Sequence, residues 1–316
     1  MAEWVRTRVE LKGRGFDRWF LDSGRPGYRV VIFGGVHGDE TEGVIAAHRI
    51  AGTALGLKAG SVTVVPIVNE EAYKADSRLT PADGANLARV FPGRKDGTPT
   101  EQIAYALTSD VLLGCDLLID LHTSGRTLDI PFTIGYIDDG RDRKGLSERA
   151  AKVFGADFIW RHPIRPPGRT LNGADAAIYT EAPGAGPTGL DNAIAFSDGV
   201  LRVLDELGML EKPLVPRSSK PAQRIVGGNN VELDPLATRQ DGLFIHRSKS
   251  GQKVKKGDLL GLVVNLKGET LEEIRADVDG WVVSLKYRPQ VTKGEPVAGL
   301  AVADDRYPMT RSLGPA

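Results

Sequence analysis

The chain has 316 residues, of which 41% are hydrophobic and 26% are charged, and this is the composition of an ordinary folded protein. Lysine plus arginine and aspartate plus glutamate both total 41, so no net charge attracts the chain to nucleic acid or to an anionic membrane. A single cysteine, no apolar run near ~18 residues and no apolar stretch in residues 1–10 argue against disulfides, membrane spans and secretion, and favour the cytoplasm.

The first two thirds of the sequence alternate short apolar runs with helical patterns. The run 28–33 ends at a pair of glycines and predicts a buried strand, and 40–50 has helical spacing. Further strands are predicted over 61–68, 115–121, 130–137, 157–160 and 176–180, and further helices over 100–113, 143–154 and 189–207. This alternation predicts an α/β fold with a mixed sheet flanked by helices, in which ligands bind beyond the carboxyl ends of strands.

The pattern changes near residue 211. Residues 212–221 are rich in proline, serine and lysine and predict a linker, and only short strands and turns follow. We therefore expect a catalytic domain over 1–211 and a smaller all-β domain over 222–316, similar to the sandwich of biotinyl and lipoyl carriers. The segments 254–258 and 291–295 share a valine, a lysine, a glycine and an acid, which indicates two duplicated hairpin units.

Candidate metal ligands follow two of the predicted strands. His37 and Glu40 come after the first strand, and His122 ends another. Two histidines and a carboxylate are the ligand set of a catalytic zinc site that keeps one position open. Zinc held in this way lowers the pKa of bound water to about 7 and polarises a carbonyl group. The sequence therefore predicts one Zn²⁺ per chain and hydrolysis by metal-activated water.

Two further carboxylates lie close to these ligands in the sequence pattern. Glu181 follows a third strand and is the candidate general base, with a helix cap or a surface glutamate as the alternative. Asp120 immediately precedes the ligand segment and would orient a histidine ligand, although a turn-forming aspartate is almost equally compatible with its position.

The polar segment 69–93 carries two arginines, Arg78 and Arg89. A planar guanidinium binds a carboxylate through two hydrogen bonds and stabilises an oxyanion near a metal. Either arginine taken alone is more simply explained as a solvated surface charge.

Taken together, these motifs resemble the succinylglutamate desuccinylase/aspartoacylase family, which belongs to the zinc carboxypeptidase-like hydrolases. The resemblance covers about residues 25–210, and residues 220–303 are similar to the family's C-terminal β-domain. It rests on the segments 35–40, 86–89, 120–123 and 180–181 and on Arg78.

The resemblance implies roles for most of these side chains. His37, Glu40 and His122 would bind zinc, and Glu181 would act as general base and acid. Arg78 would support the oxyanion and Arg89 would hold the substrate carboxylate, with Asn86 beside it. The family's usual Asn-Arg pair is Ala88-Arg89 here, so one hydrogen-bond donor to the substrate is missing.

The segment 160–169 is basic and stiffened by prolines. We expect it to overhang the pocket, with Arg169 or Arg165 contacting an anionic part of the substrate. A solvated loop that covers the sheet edge is the alternative.

These observations predict a zinc-dependent deacylase that hydrolyses the amide bond of an N-acyl amino acid or a similar small amide. The expected partner is this small-molecule substrate, without nucleic acid or membrane, and a homo-oligomer remains an open alternative. Two other functions remain open, namely a small metallocarboxypeptidase acting on short peptides and a non-catalytic metal- or ligand-binding relative.

Overall fold

The computed structural model describes residues 2–11, 13–184, 189–219, 221–226 and 236–306. Within these ranges the helices are α1 (Thr41–Ala51), α2 (Glu70–Lys74), α3 (Pro99–Ala106), α4 (Leu146–Phe154) and α5 (Leu190–Glu206). No described helix is long and apolar enough to cross a membrane.

Nine of the first ten strands form one side of a large sheet, and the sixth pairs instead with a strand of the C-terminal part. The ten strands are β1 (Val5–Leu11), β2 (Arg14–Asp22), β3 (Arg29–Phe33), β4 (Ser61–Val65), β5 (Leu117–Asp120), β6 (Leu128–Asp129), β7 (Thr133–Ile137), β8 (Phe158–His162), β9 (Ala177–Glu181) and β10 (Gln223–Val226). Their order is β1-β2-β4-β3-β5-β9-β7-β8-β10, with β6 outside this path. Strands β4, β3, β5 and β9 run parallel, whereas β7 is antiparallel to β9. The predicted mixed α/β sheet is confirmed.

Helices cover both faces of this sheet because the side chains of its central strands alternate. Ile32 of β3 packs in one apolar cluster with Phe154 of α4 and Phe196 of α5. Phe33, the next residue of β3, belongs to the cluster on the opposite face with Ile103 of α3. Burial of each of these side chains contributes about 1.5–3 kcal/mol to the free energy of folding. The burial on both faces fixes the ends of the central strands, where the candidate ligands lie.

The C-terminal part is made of strands and turns in its described residues. The strands are β11 (Leu236–Ala237), β12 (Gly242–His246), β13 (Lys253–Val254), β14 (Leu259–Val264), β15 (Thr270–Arg275), β16 (Gly280–Lys286), β17 (Gln290–Val291) and β18 (Pro296–Ala303). Four of them form a separate antiparallel sheet in the order β15-β14-β12-β17. The C-terminal antiparallel β structure is therefore confirmed.

The two similar segments 254–258 and 291–295 form the same turn. In one, Asp258 Oδ2 accepts a hydrogen bond from the backbone N–H of Lys255 at 2.8 Å. In the other, Glu295 Oε2 accepts from the backbone N–H of Thr292 at 3.0 Å. Each turn joins a two-residue strand to a longer strand, but the two joined strands lie in different sheets and do not pair, so the similar segments form repeated turns between sheets and not the expected hairpins.

The two parts of the chain share one continuous sheet. Strand β10 pairs in parallel with β8 and antiparallel with β18, and β6 pairs with β16. Phe158 and Trp160 of β8 pack with Trp281 and Val283 of β16 in one apolar cluster. The division at residues 211 and 222 stays a prediction.

Candidate metal centre and active-site cavity

The first two candidate ligands lie on the loop between β3 and α1. Both are buried, and His37 Nδ1 lies 2.7 Å from Glu40 Oε1. Gly38 between them donates its backbone N–H to Ser77 O, and a Cβ there would lie 2.0 Å from Ala72 O. Only glycine allows this close approach, so the loop is fixed against the segment that carries Arg78.

The third candidate ligand lies directly beyond the end of β5. His122 Nδ1 is 2.7 Å from Glu40 Oε2, and its Nε2 is 2.9 Å from Asp120 Oδ2. The Thr180 hydroxyl accepts a hydrogen bond from the His122 N–H and donates one to the His122 carbonyl. Thr180 lies on β9, which pairs with β5, so the neighbouring strand holds the ligand's backbone in place.

The three candidate ligands fit a divalent cation. One ligand atom from each of His37, Glu40 and His122 lies within 4.8 Å of the others. Burial alone raises the pKa of Glu40, but the two imidazoles outweigh burial and hold this pKa well below its usual range. Burial alone lowers the pKa of His122, but Asp120 and Glu40 raise it well above the ordinary value. The two buried carboxylates, Glu40 and Asp120, need positive charge nearby, and a cation bound at the ligand atoms would supply it.

Both imidazoles are oriented through the ring nitrogen that faces away from Glu40. His122 uses Nε2 to contact Asp120, and His37 Nε2 lies 3.0 Å from Asn86 Oδ1. An acceptor at Nε2 places the proton there and leaves the Nδ1 lone pair for a metal. Asn86 Oδ1 also accepts the N–H of Ala88, so its oxygen is directed to the histidine and the backbone. The sequence associated Asn86 with the substrate, and its hydrogen bonds lie on the metal-ligand side.

Arg78 lies at the opening of this cluster. Its Nη1 is 2.9 Å from Glu40 Oε1 and 3.1 Å from His37 Nδ1, and its side chain is 44% exposed. The guanidinium therefore reaches the candidate ligands from the solvent side.

Glu181 ends β9 and lines the same cavity as both histidines. Its Oε2 is buried and has no hydrogen-bond partner among the described residues. Burial, together with the negative charge of Glu40, raises the pKa of Glu181 to about 8. An enclosed carboxyl group without a fixed partner is free to exchange a proton with a bound molecule.

The cavity has a volume of about 340 Å³. Its lining includes His37, His122 and Glu181 and, further along, Arg78, Ala88, Arg89 and Arg169. Burial and the charges of Arg169 and Arg78 lower the pKa of Arg89 to about 10. The backbone N–H of Phe91 donates to Gly168 O at 3.0 Å, which joins the two loops that carry Arg89 and Arg169. The predicted site arginines thus form one cationic group at the cavity.

The two arginines proposed for the loop 160–169 have different environments. Arg169 lines the cavity. Arg165 instead binds Asp139 at 2.7 Å and three backbone carbonyls, so its guanidinium holds the loop together. The sequence could not separate the two, because the difference depends on which partners lie beneath each side chain.

An aromatic pair in the cavity wall was not identified from the sequence. His162 Nε2 lies 2.8 Å from the Tyr179 hydroxyl, and the His162 ring stacks on Trp160. Burial lowers the pKa of His162 to about 4, so the imidazole is neutral at physiological pH. A Cβ at Gly135 would lie 2.1 Å from the Tyr179 ring, so this glycine makes room for the pair. The signal in the sequence was the alternation of Tyr179 and Glu181, which places both on one face of β9.

Comparison with known proteins identifies the family. Residues 26–207 match the model of the family described as the succinylglutamate desuccinylase/aspartoacylase catalytic domain. The chain belongs to this family. The resemblance seen in the sequence motifs is therefore confirmed.

Three relatives of this family illustrate the similarity. N-alpha-acetyl-L-2,4-diaminobutyric acid deacetylase of Halomonas elongata is 27% identical over 296 residues, which cover 87% of this chain and 82% of that protein. The product-bound structure of the ectoine utilization protein EutE (DoeB) from Ruegeria pomeroyi is 27% identical, with a TM-score of 0.82 over 96% of this chain and 95% of that one. An aspartoacylase family protein from Mesorhizobium loti is 26% identical, with a TM-score of 0.79 over 97% and 96% of the two chains.

Proposed function

We propose that this member of the desuccinylase/aspartoacylase family is a zinc-dependent deacylase that hydrolyses the amide bond of an N-acyl amino acid or a similar small amide. The observation that carries the proposal is one cavity lined by two of the three candidate ligands, His37 and His122, and by Glu181, whose Oε2 has no hydrogen-bond partner among the described residues. A structural metal site has no need of such a carboxyl group beside it. The deacetylase activity of the Halomonas elongata relative supports the same reaction class.

The ligand residues would hold the ion and the neighbouring acceptors would keep them oriented. His37, Glu40 and His122 would bind zinc, with Asn86 and Asp120 fixing the two imidazoles. Zinc bound there would supply Lewis acidity for a substrate carbonyl and for water.

The chain's own residues would divide the remaining tasks. Glu181 would take a proton from the attacking water as the C–O bond forms, and would return it to the leaving nitrogen as the C–N bond breaks. Arg78 would stabilise the developing oxyanion, because its guanidinium reaches the ligand cluster from the open side. Arg89 would bind the substrate carboxylate, and Arg169 would bind a second anionic group of the substrate.

A cytoplasmic location forms part of the proposal. It rests on the single cysteine of the sequence, Cys115, which cannot form an internal disulfide. Burial raises the pKa of the Cys115 thiol to about 12, so this thiol is unreactive.

The test is a substrate panel with purified protein loaded with zinc. Acetyl, succinyl and longer acyl derivatives of amino acids, including Nα-acetyl-2,4-diaminobutyrate, are compared with short peptides by their kcat/KM values. We expect at least one acyl amino acid to be cleaved faster than every peptide. Faster peptide cleavage would make the protein a carboxypeptidase, and binding without any cleavage would make it a non-catalytic relative.

A further inference from the structure

One wall of the cavity is built by the C-terminal part of the chain. Val283 and Ser284, neighbours on β16, both line the cavity that contains Glu181. In a regular strand, successive side chains point to opposite faces, so two neighbours do not share one cavity. An irregularity in the pairing of β16 with a neighbouring strand is therefore needed to bring both residues to the cavity.

The pairing of β16 with β18 contains this irregularity. Val282 lies opposite Leu300 and Ser284 lies opposite Gly299, so Val283 is an extra residue in the ladder. Such a bulge redirects side chains and occurs often beside active sites. The opposite edge of β16 pairs with β6 through Leu285 and Lys286, which holds this segment against the cavity.

The Ser284 hydroxyl has no hydrogen-bond partner among the described residues, although the residue is only 3% exposed. Thr170 Oγ1, which belongs to another residue of the same cavity, is also buried and without a partner in this part of the chain. An unsatisfied buried hydroxyl costs about 1–3 kcal/mol, so a molecule in the cavity that bonds to it recovers this free energy.

In the described part of the chain, the residues of β16 and of its partner segment that line the cavity are uncharged, although Asp129 and Lys286 lie in the same two strands outside the lining. The neighbours of Ser284 in the cavity wall are Val283 and, from the segment that pairs with β16, Thr127, Leu128 and Ile130. The charged lining residues all come from the other part of the chain, namely Arg78, Arg89, Asp120, Arg169 and Glu181. A carboxylate or an ammonium group placed against the uncharged lining residues would be desolvated without a countercharge from them.

We propose that Ser284 is a specificity-determining residue that hydrogen-bonds an uncharged carboxamide group of the substrate. This inference rests on the proposed deacylase function. The bulge in β16 places Ser284 in the cavity lining, and the uncharged lining residues around it offer no countercharge to a charged group at this position. In this proposal Arg89 and Arg169 still bind the anionic groups of the substrate.

The experiment uses zinc-loaded full-length protein and two matched series of amides. The side-chain series contains the N-acetyl derivatives of glutamine, glutamate and homoleucine. The acyl series contains the succinamoyl, succinyl and 4-methylpentanoyl derivatives of alanine. Within each series the end group is a carboxamide, a carboxylate or an isopropyl group of similar shape. The kcat/KM value of each compound is measured for the wild type, for Ser284→Ala and for Ser248→Ala.

We expect the wild type to prefer the carboxamide over both other end groups in one of the two series. Ser284→Ala lowers the ratio of carboxamide to isopropyl about fivefold in that series, which corresponds to one hydrogen bond of about 1 kcal/mol. Ser248 is the matched control, because it is a buried serine of the C-terminal part whose hydroxyl bonds Leu260 O at 3.1 Å, away from the cavity lining. Ser248→Ala leaves the ratio unchanged.

The inference is overturned if the carboxamide is preferred in neither series, or if Ser284→Ala leaves the ratio as it is in the wild type. If the wild type cleaves none of the six amides or the wider panel, the proposed function has failed on its own. In that case the dissociation constants of the same six amides are measured by calorimetry. The ratio of carboxamide to isopropyl affinity is then compared between the wild type and Ser284→Ala. Absence of binding overturns the inference too.

Discussion

Each imidazole of the candidate metal centre contacts an oxygen atom that belongs to a nearby segment of the chain. Asp120 precedes His122 on the same strand end, and Asn86 approaches His37 from another loop. The two acceptors differ in charge, since only Asp120 is a carboxylate. We expect the charged partner to matter more for metal affinity, because it raises the basicity of the ligand imidazole.

Asp120→Asn is predicted to weaken zinc binding 10- to 100-fold while the fold is retained. The substitution keeps the shape of the side chain and removes the charge that faces His122 Nε2. Zinc affinity is measured by competition with a chromophoric chelator. Asp116→Asn is the control, because Asp116 lies before the other end of β5 and pairs with Lys144. Equal affinities for both variants would contradict the orienting role of Asp120.

Glu181→Gln is predicted to keep zinc affinity within about threefold and to lower kcat by about 10²–10⁴. The amide of glutamine has nearly the same size as the carboxyl group of glutamate, but it neither takes up nor releases a proton near neutral pH. The zinc content and the kcat of the best substrate in the panel are measured on the same preparation. A variant that retains zinc and full turnover would remove Glu181 from the proton transfer.

Among the secondary-structure elements, the buried strands and helices could be predicted from the sequence. Strands that are exposed, or that have few buried residues of their own, could not. Strand β3 and helix α1 have continuous or helically spaced apolar residues, so their patterns are local. The β1–β2 hairpin was missed because β1 lies at the edge of the sheet and most of its residues are exposed and charged or polar. Strand β10 was missed because Ile225 is its only buried residue.

The same distinction applies to the candidate site. Residues at the ends of β3, β5 and β9 could be predicted to converge, because these neighbouring strands run parallel and end at the same edge. The hydrogen bond from His37 Nε2 to Asn86 Oδ1 and the position of Ser284 could not be predicted. The first depends on side-chain orientation, and the second on a bulge and on pairing with a distant strand.

Gly38→Ala is predicted to reduce zinc affinity more than tenfold and to cost about 1–3 kcal/mol of stability. A Cβ at this position meets Ala72 O at 2.0 Å, so the loop that carries His37 and Glu40 must move away from the segment 72–78. Zinc competition and chemical denaturation measure the two effects. Gly52→Ala is the control, because a Cβ at this helix end meets its nearest neighbour at 3.4 Å. Unchanged zinc affinity in Gly38→Ala would show that the close approach does not position the ligands.

At the scale of the whole molecule, the cavity depends on how the two parts of the chain are joined. Strand β10 bridges β8 and β18, and a side-chain pair crosses the same junction. Arg161 of β8 binds Asp304 through two hydrogen bonds of 2.6 and 3.0 Å, and Asp304 is only 2% exposed. Because Trp160 and His162 flank Arg161 and line the cavity, this pair connects the stability of the junction to the shape of the site.

Asp304→Asn is predicted to lower the free energy of unfolding by about 2 kcal/mol near neutral pH, since charge-assisted hydrogen bonds contribute about 1.5–3 kcal/mol. The hydrogen bonds from Arg161 hold the pKa of Asp304 below its ordinary value of 3.8. A depressed carboxyl pKa stabilises the folded state above the unfolded pKa and loses this contribution as the pH falls through the folded pKa. The difference between wild type and variant should therefore be constant above about pH 5 and shrink below about pH 4.

Urea denaturation between pH 3 and pH 7 measures this difference directly, and Asp305→Asn is the matched control because Asp305 is the exposed neighbour of Asp304. The control should follow the wild type at every pH, since an exposed carboxylate contributes little. If the difference for Asp304→Asn does not change with pH, the stabilisation comes from packing at the junction rather than from the ion pair. If the variant is also as active as the wild type on the substrate panel, the junction does not determine the shape of the cavity.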